Sequence, residues 1–196
     1  MRIACSLGSL LSVEEVIQCT ELVSKTGIDS IWIPETWGME NFSMLGAVAN
    51  KTKTQKIGSS IINIYSRSPS TIAMGSATTD TLSNGRLILG LGTSSVPIVE
   101  DFHGEKFENP VQRMREYVEI IRLSLMKKQI NYSGKIFDLK NFTLLIEPKR
   151  KSIPIYLAAI NQKMVNLCWE IADGVIFYLR PLDEMQKTIS KMQSQK

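Results

Sequence analysis

The sequence predicts an α/β fold of repeated parallel βα units, most of a TIM-type (βα)8 barrel, and three observations carry that expectation. Strand-length apolar runs begin at Arg2 (RIACSL), Asp29 (DSIWIP), Lys56 (KIGSSIINI) and Arg86 (RLILGLG), at intervals of 27 to 30 residues, the length that a strand, its loops and a crossover helix require. The segments between these runs carry helix signals. The turn after the first run, CSLGSLLS, lacks the G-x-G-x-x-G of a dinucleotide-binding sheet. An open doubly wound sheet remains the other parallel architecture, but the even spacing favours the barrel.

Taken in order, the first helix spans 13–25, with Ser12 as N-cap, Glu15 completing a capping box and Gly27 closing it. Residues 41–50 have one apolar side, and 69–82 opens with Pro69 in the first turn. A loop rich in Ser, Pro and acidic residues covers 93–109. Helix 110–128 then places Met114, Val118, Ile121 and Leu125 on one face. Residues 129–152 read as an excursion, a hairpin turning at Ser133 and Gly134. Strand IPIYLAA, helix 162–171, strand ADGVIFYL and a helix from Leu182 complete six βα units. A barrel usually takes about 250 residues, so 1–196 is expected to be a single, incomplete barrel domain with its last two units missing.

Composition narrows the function classes. The longest apolar runs fall short of the ~18 residues a membrane helix needs. MRIACSLGSL is too short in its apolar part, and too soon followed by Glu14 and Glu15, to be a signal peptide. Cys5, Cys19 and Cys168 are odd in number and lack C-x-x-C spacing, which argues against disulfides and zinc. A cytoplasmic protein with reduced thiols and no metal is expected. The net charge of +4 would suit an anionic ligand, but Lys187, Lys191 and Lys196 supply much of it from a terminal helix and tail. No basic run is interleaved with aromatics, so neither nucleic acid nor membrane is expected as a partner.

In a βα barrel the working face is the C-terminal end of the strands. The candidates there are Gly8 and Ser9; Glu35, Thr36 and Trp37; residues 60–67; residues 92–95; residues 158–163; and residues 178–180. These tips hold no histidine, no cysteine and no carboxylate pair, which removes the clusters that hydrolytic and metal-dependent chemistry need. Small and amide-bearing residues suit a planar polar ligand that brings its own chemistry, although Gly and Ser also make tight βα turns. Glu35 is either a functional group, an acid or base if Trp32 and Trp37 raise its pKa, or an N-cap or partner of Arg67. His103, alone in an acidic loop, is read as a packing or turn residue. Asn161, Gln162 and Lys163 open a helix, whose N-terminal amides favour an anion such as phosphate.

With those residues in hand, the chain resembles the bacterial-luciferase-like superfamily of flavin-dependent monooxygenases, and most of all the branch that uses the deazaflavin coenzyme F420. The segments that carry the resemblance are GIDSIWIPE, KIGSSIINIYSRSP, LSNGRLILGLGTSS, NPVQRMREYVEIIR and IPIYLAAINQKMVNLCWEIADGVIF. It implies a non-prolyl cis peptide between Ser60 and Ile61, shaping the surface behind the ring. It also implies that Asn63 contacts the pyrimidine edge and that Glu35 matches an acidic, catalytic residue near the reactive side. Gly92, Thr93 and Ser94 would border the ring and ribityl chain; Ala158, Ala159, Asn161, Gln162 and Lys163 would approach the phosphate. Thr36 stands where some dehydrogenases of this group have a catalytic histidine, and Ser95 where they have a glutamate, so sugar-phosphate oxidation by that route is not implied. The expectation is an oxidoreductase exchanging hydride between a small-molecule substrate and F420, with FMN as the alternative cofactor. The rival is a truncated, non-catalytic paralogue that binds a flavin-type ligand or a partner subunit, and the chain could also be a fragment of a longer product. An open barrel exposes strand edges, so a homodimer is expected.

Overall fold

The apolar runs form a sheet because alternate residues meet two different environments. In the computed structural model, which describes residues 2–8, 10–126 and 129–194, the first strands are β1 (Ala4–Ser6), β2 (Ser30–Ile33), β3 (Lys56–Ser59), β4 (Ile62–Asn63) and β5 (Leu87–Gly92). An antiparallel hairpin of β6 (Gln129–Ser133) and β7 (Asp138–Thr143) follows, then β8 (Ile155–Ala158) and β9 (Gly174–Ile176). The sheet order is β1-β2-β3-β5-β8-β9, parallel throughout, with β4 also on β5. The result is an α/β fold with a parallel half-barrel sheet. Ser9, Lys128 and Lys196, named above, lie outside the described residues.

The helices are α1 (Val13–Val23), α2 (Asn41–Lys51), α3 (Pro69–Leu82), α4 (Pro110–Met126), α5 (Gln162–Ile171) and α6 (Leu182–Gln193). From α1 to α5 each packs on the next, over the outer face of the sheet. That face presents Ile31, Ile33, Ile57, Leu87, Leu89, Leu91, Ile155 and Leu157, all fully buried. Polar clamps tie the layers together. Arg86 donates to the carbonyls of Ala49 and Thr52 at the end of α2, orphan acceptors that a helix C-terminus leaves, and to the Gln55 carbonyl just before β3. Asp80, buried in α3, holds Arg150 at 2.5 Å.

The inner face is filled by aromatics seated on glycines. Register places Trp32 beside Gly58, and Tyr156 beside both Gly90 and Gly174. A Cβ at Gly58 would lie 2.5 Å from the Trp32 ring, and one at Gly174 2.7 Å from the Tyr156 ring. The two rings approach to 5.9 Å between centroids, although β3 and β5 separate their strands in the sheet. That contact requires a concave sheet.

Three expectations need correction. The apolar run 56–64 is two strands, because the Ser60–Ile61 peptide is cis and breaks the ladder. At the break the Ser59 hydroxyl accepts from Gly90 N at 2.7 Å and donates to Gly90 O at 2.9 Å, standing in for backbone bonds. Gly90 must be bare, since its Cβ would fall 1.8 Å from the Ser59 carbonyl oxygen. The first helix ends at Val23 with Ser24 as its cap, before Gly27. The hydroxyls of Ser24 and Thr26 take carbonyls of the last turn, a side-chain competition that ends helices. Within the 93–109 loop, Ile98–Phe102 forms a π-helical turn pinned by buried Val99.

All three cysteines are free, and burial pushes the Cys168 thiol up to about 12. No helix among the described residues is long and apolar enough to cross a membrane. Among the described residues, the outermost strands, β1 and β9, pair on one side only. Ala4 and Ser6 are exposed and β9 is half-buried.

Candidate active site

All the parallel strands end on one rim, and the tip of β3 is its best-defined part. Past the cis peptide, β4 resumes pairing with β5, setting Ile62 beside Leu91 on the outer face and Asn63 beside Gly92 on the inner face. Asn63 is 3% exposed. Its Oδ1 accepts from Tyr65 N at 2.9 Å, but its Nδ2 is buried with no hydrogen-bond partner. Buried amide donors are nearly always paired, so this one marks a place where an acceptor is wanted. Ile61 lies across the neighbouring tip: a Cβ on Gly92 would sit 2.5 Å from its side chain and 3.4 Å from Ala158 Cβ.

The structure thus brings Ser60, Ile61, Asn63, Gly92 and Ala158 together, with Thr93 and Ser94 continuing from Gly92. Ser94 has a φ of 58°, a left-handed conformation uncommon for a non-glycine residue. Ala159 joins from the next tip, bonded through its N–H to Ile176 O. Asn161 is the N-cap of α5, its Oδ1 accepting from Met164 N at 2.9 Å. Gln162 and Lys163 stand exposed on the first turn of that helix.

Glu35 sits at the tip of β2 and is firmly held. Arg67 grips both of its oxygens, at 2.6 and 2.7 Å, and Asn41 N donates at 3.0 Å. Only 11% of the Glu35 side chain and 16% of the Arg67 side chain are exposed. The hydrogen bond to Glu35 pushes the Arg67 guanidinium further up, with Glu40 also contacting it. For Glu40, burial opposes ionisation, but hydrogen bonds from Ser43 and Phe42 and the Arg67 charge outweigh it and lower the pKa. The pairing with Arg67, one of the two readings open from the sequence, is the one observed. The indoles lie elsewhere, Trp32 on Gly58 and Trp37 against Phe102.

Two features escaped the sequence reading. The Trp37–Phe102 pair is one, since neither lies in a periodic segment. The other is the half-buried Arg180, placed among the tips only by position. Its Nε and Nη1 have no hydrogen-bond partner, although Glu184 pairs with it at 3.8 Å from Nε; its guanidinium lies over Phe177, and it borders a cleft of about 170 Å³ with Ala159, Ile160, Tyr178 and Glu184. A larger cleft, about 440 Å³, lies away from the strand tips, between the end of α4 and residues 144–151. No cluster of ligating side chains able to hold a metal occurs among the described residues.

This rim, with its cis peptide, belongs to a sequence that matches the luciferase-like monooxygenase family over residues 1–196. The chain belongs to that family. Among its curated members, the chain is 38% identical over 157 residues to 5,10-methylenetetrahydromethanopterin reductase of Archaeoglobus fulgidus, a match covering 80% of this chain and 46% of that protein. The chain spans about half the length of the curated relatives it matches. Two solved structures share the fold. The coenzyme F420-dependent tetrahydromethanopterin reductase of Methanopyrus kandleri superposes with a TM-score of 0.89 at 23% identity, covering 97% of this chain and 59% of that one. The oxygenating constituent of 3,6-diketocamphane monooxygenase from Pseudomonas putida, in complex with FMN, superposes at 0.83 with 17% identity, covering 99% and 62%.

Proposed function

We propose that this chain binds coenzyme F420 on the C-terminal rim of its sheet and serves an oxidoreductase exchanging hydride with a small-molecule substrate, FMN being the alternative cofactor. The observation that carries the reading is the orphaned Nδ2 of Asn63, a buried donor on the inner face where a ring carbonyl would find it. A bound deazaflavin supplies a two-electron hydride site, and FMN would add reaction with oxygen.

The chain's own part is to bind and orient. Ser60 and Ile61 give the surface behind the ring, Gly92, Thr93 and Ser94 border it, and Asn63 fixes its polar edge. Ala158, Ala159, Asn161, Gln162 and Lys163 are assigned to the phosphate end, where the α5 N-terminus favours an anion. Arg180, beside Ala159 and paired with Glu184, joins them through Nη1, a buried donor without a hydrogen-bond partner. Glu35 enters with the Arg67 clamp attached. Both its oxygens are engaged, so any proton transfer by it requires Arg67 to release one.

Titrating the protein with F420 and with FMN, followed by coenzyme fluorescence, tests the reading. Saturable quenching by F420 is expected; no spectral change with either coenzyme refutes it. A second reading is a non-catalytic relative that binds the same ligand or a partner subunit. It predicts saturable binding without substrate-dependent reoxidation of reduced coenzyme.

A further inference from the structure

The loops on either side of the β3 tip meet. Trp37, from the loop after β2, and Phe102, from the π-helical turn after β5, pack edge to face with centroids 5.7 Å apart. Since β3 lies between β2 and β5 in the sheet, this contact spans the gap that holds the cis peptide and Asn63. Both rings stay open to solvent, Trp37 at 73% and Phe102 at 59% exposure. An aromatic pair that packs mainly on itself leaves its remaining area for something else to cover. Val96, exposed in the same loop, and Ile160, exposed in the loop after β8, extend the apolar lining of the rim.

The charge around the pair is one-sided. In the 34–41 segment the only charges are Glu35 and Glu40, and both are bound by Arg67. In the other loop Glu100, Asp101, Glu105 and Glu108 stand exposed against Lys106 alone, with His103 the remaining titratable group. An anion approaching the aromatic pair meets four carboxylates against one lysine in that loop, whereas a neutral apolar molecule meets two rings.

Resting on the coenzyme reading above, we propose that the substrate taken at this rim is an uncharged, largely apolar molecule, and that Trp37 and Phe102 are the residues that select it. Trp37 and Phe102 form its wall, and the acidic loop turns away phosphorylated and carboxylated compounds. The phosphate end of the rim, by Arg180 and Lys163, is left to the coenzyme.

The test uses one ring system in two charge states: 2-acetylnaphthalene, neutral, and naphthalene-2-sulfonate, anionic. Calorimetry and tryptophan quenching are run on the coenzyme-free and coenzyme-loaded protein. The neutral compound is expected to bind about tenfold or more tightly than the sulfonate, in line with apolar burial and charge repulsion. Trp37→Ala and Phe102→Ala should each weaken it about fivefold or more. Both variants should leave coenzyme affinity and melting temperature unchanged, since both side chains are exposed. Paired Asp101→Lys and Glu105→Lys substitutions should narrow the gap between the two compounds. Equal or tighter sulfonate binding, an unchanged Trp37→Ala variant, or no binding of the neutral compound to either form overturns the proposal. A neutral preference that persists in a protein binding neither F420 nor FMN refutes the coenzyme reading and, with it, the assignment of the bound molecule as a substrate.

Discussion

Replacing Asn63 by alanine separates a ligand contact from a structural one. In the ligand-free protein the wild-type side chain makes one hydrogen bond, to Tyr65 N, and leaves Nδ2 buried without a partner. Alanine loses a bond worth about 1 kcal/mol, but it also removes an unpaired donor whose burial costs about 1 to 3 kcal/mol. The two changes oppose each other, so the ligand-free stability should move by no more than about 2 kcal/mol, a shift of at most roughly 4 to 8 °C in a chain of this size. With coenzyme present the balance is different. The donor recovers its desolvation cost only when an acceptor arrives, so its loss should weaken coenzyme binding by about 1.5 to 3 kcal/mol, or roughly 10- to 100-fold in Kd. Thermal unfolding with and without coenzyme, together with a fluorescence titration, reads both quantities. Unchanged affinity would remove Asn63 from the site. An equally large loss of stability with and without coenzyme would make it a structural residue only.

Two further outcomes follow from the fold. Glu116, 1% exposed, accepts from Gln112 and from the backbone N–H groups of Lys135, Ile136 and Phe137, fastening the β6–β7 hairpin to α4. Burial works to raise its pKa, but the hydrogen bonds from Gln112 and the hairpin outweigh it and hold it below the ordinary carboxylate range. Its contribution is therefore full above the unfolded pKa of about 4.3 and lost as pH falls through the lower folded value. Glu116→Gln should flatten that acid limb, and by weakening three charge-assisted bonds at about 1 kcal/mol each it should cut hydrogen-exchange protection at 135–137 by roughly a hundredfold; unchanged protection refutes the anchor. The unpaired edges of β1 and β9 should drive self-association, read as a dimer by light scattering. A monomer at all concentrations contradicts this, and lysine substitutions on β9 should favour the monomer.

Local chemistry made most of the scaffold legible. Ser12 with Glu15, Pro69 and Asn161 announced three helix starts, and Ser133–Gly134 the hairpin, because each acts through neighbours in sequence. The cis peptide came from the family resemblance, since periodicity cannot see a peptide isomer inside an apolar run. The seats of Trp32 and Tyr156 were illegible for a related reason: which glycine faces which ring depends on strand register. Glu35 shows the limit at the site. Its possible pairing with Arg67 was visible, but the choice between free acid and clamped carboxylate depends on where a loop more than thirty residues away folds back.

The two rings inside the sheet bear on what the rim owes to the rest of the molecule. Trp32 and Tyr156 occupy the hollow from opposite walls, and bare positions on the neighbouring strands let them sit deep enough to meet. The arc is braced from within, as a vault is held by its own keystones. A mouth supported in this way can keep the spacing of its tips.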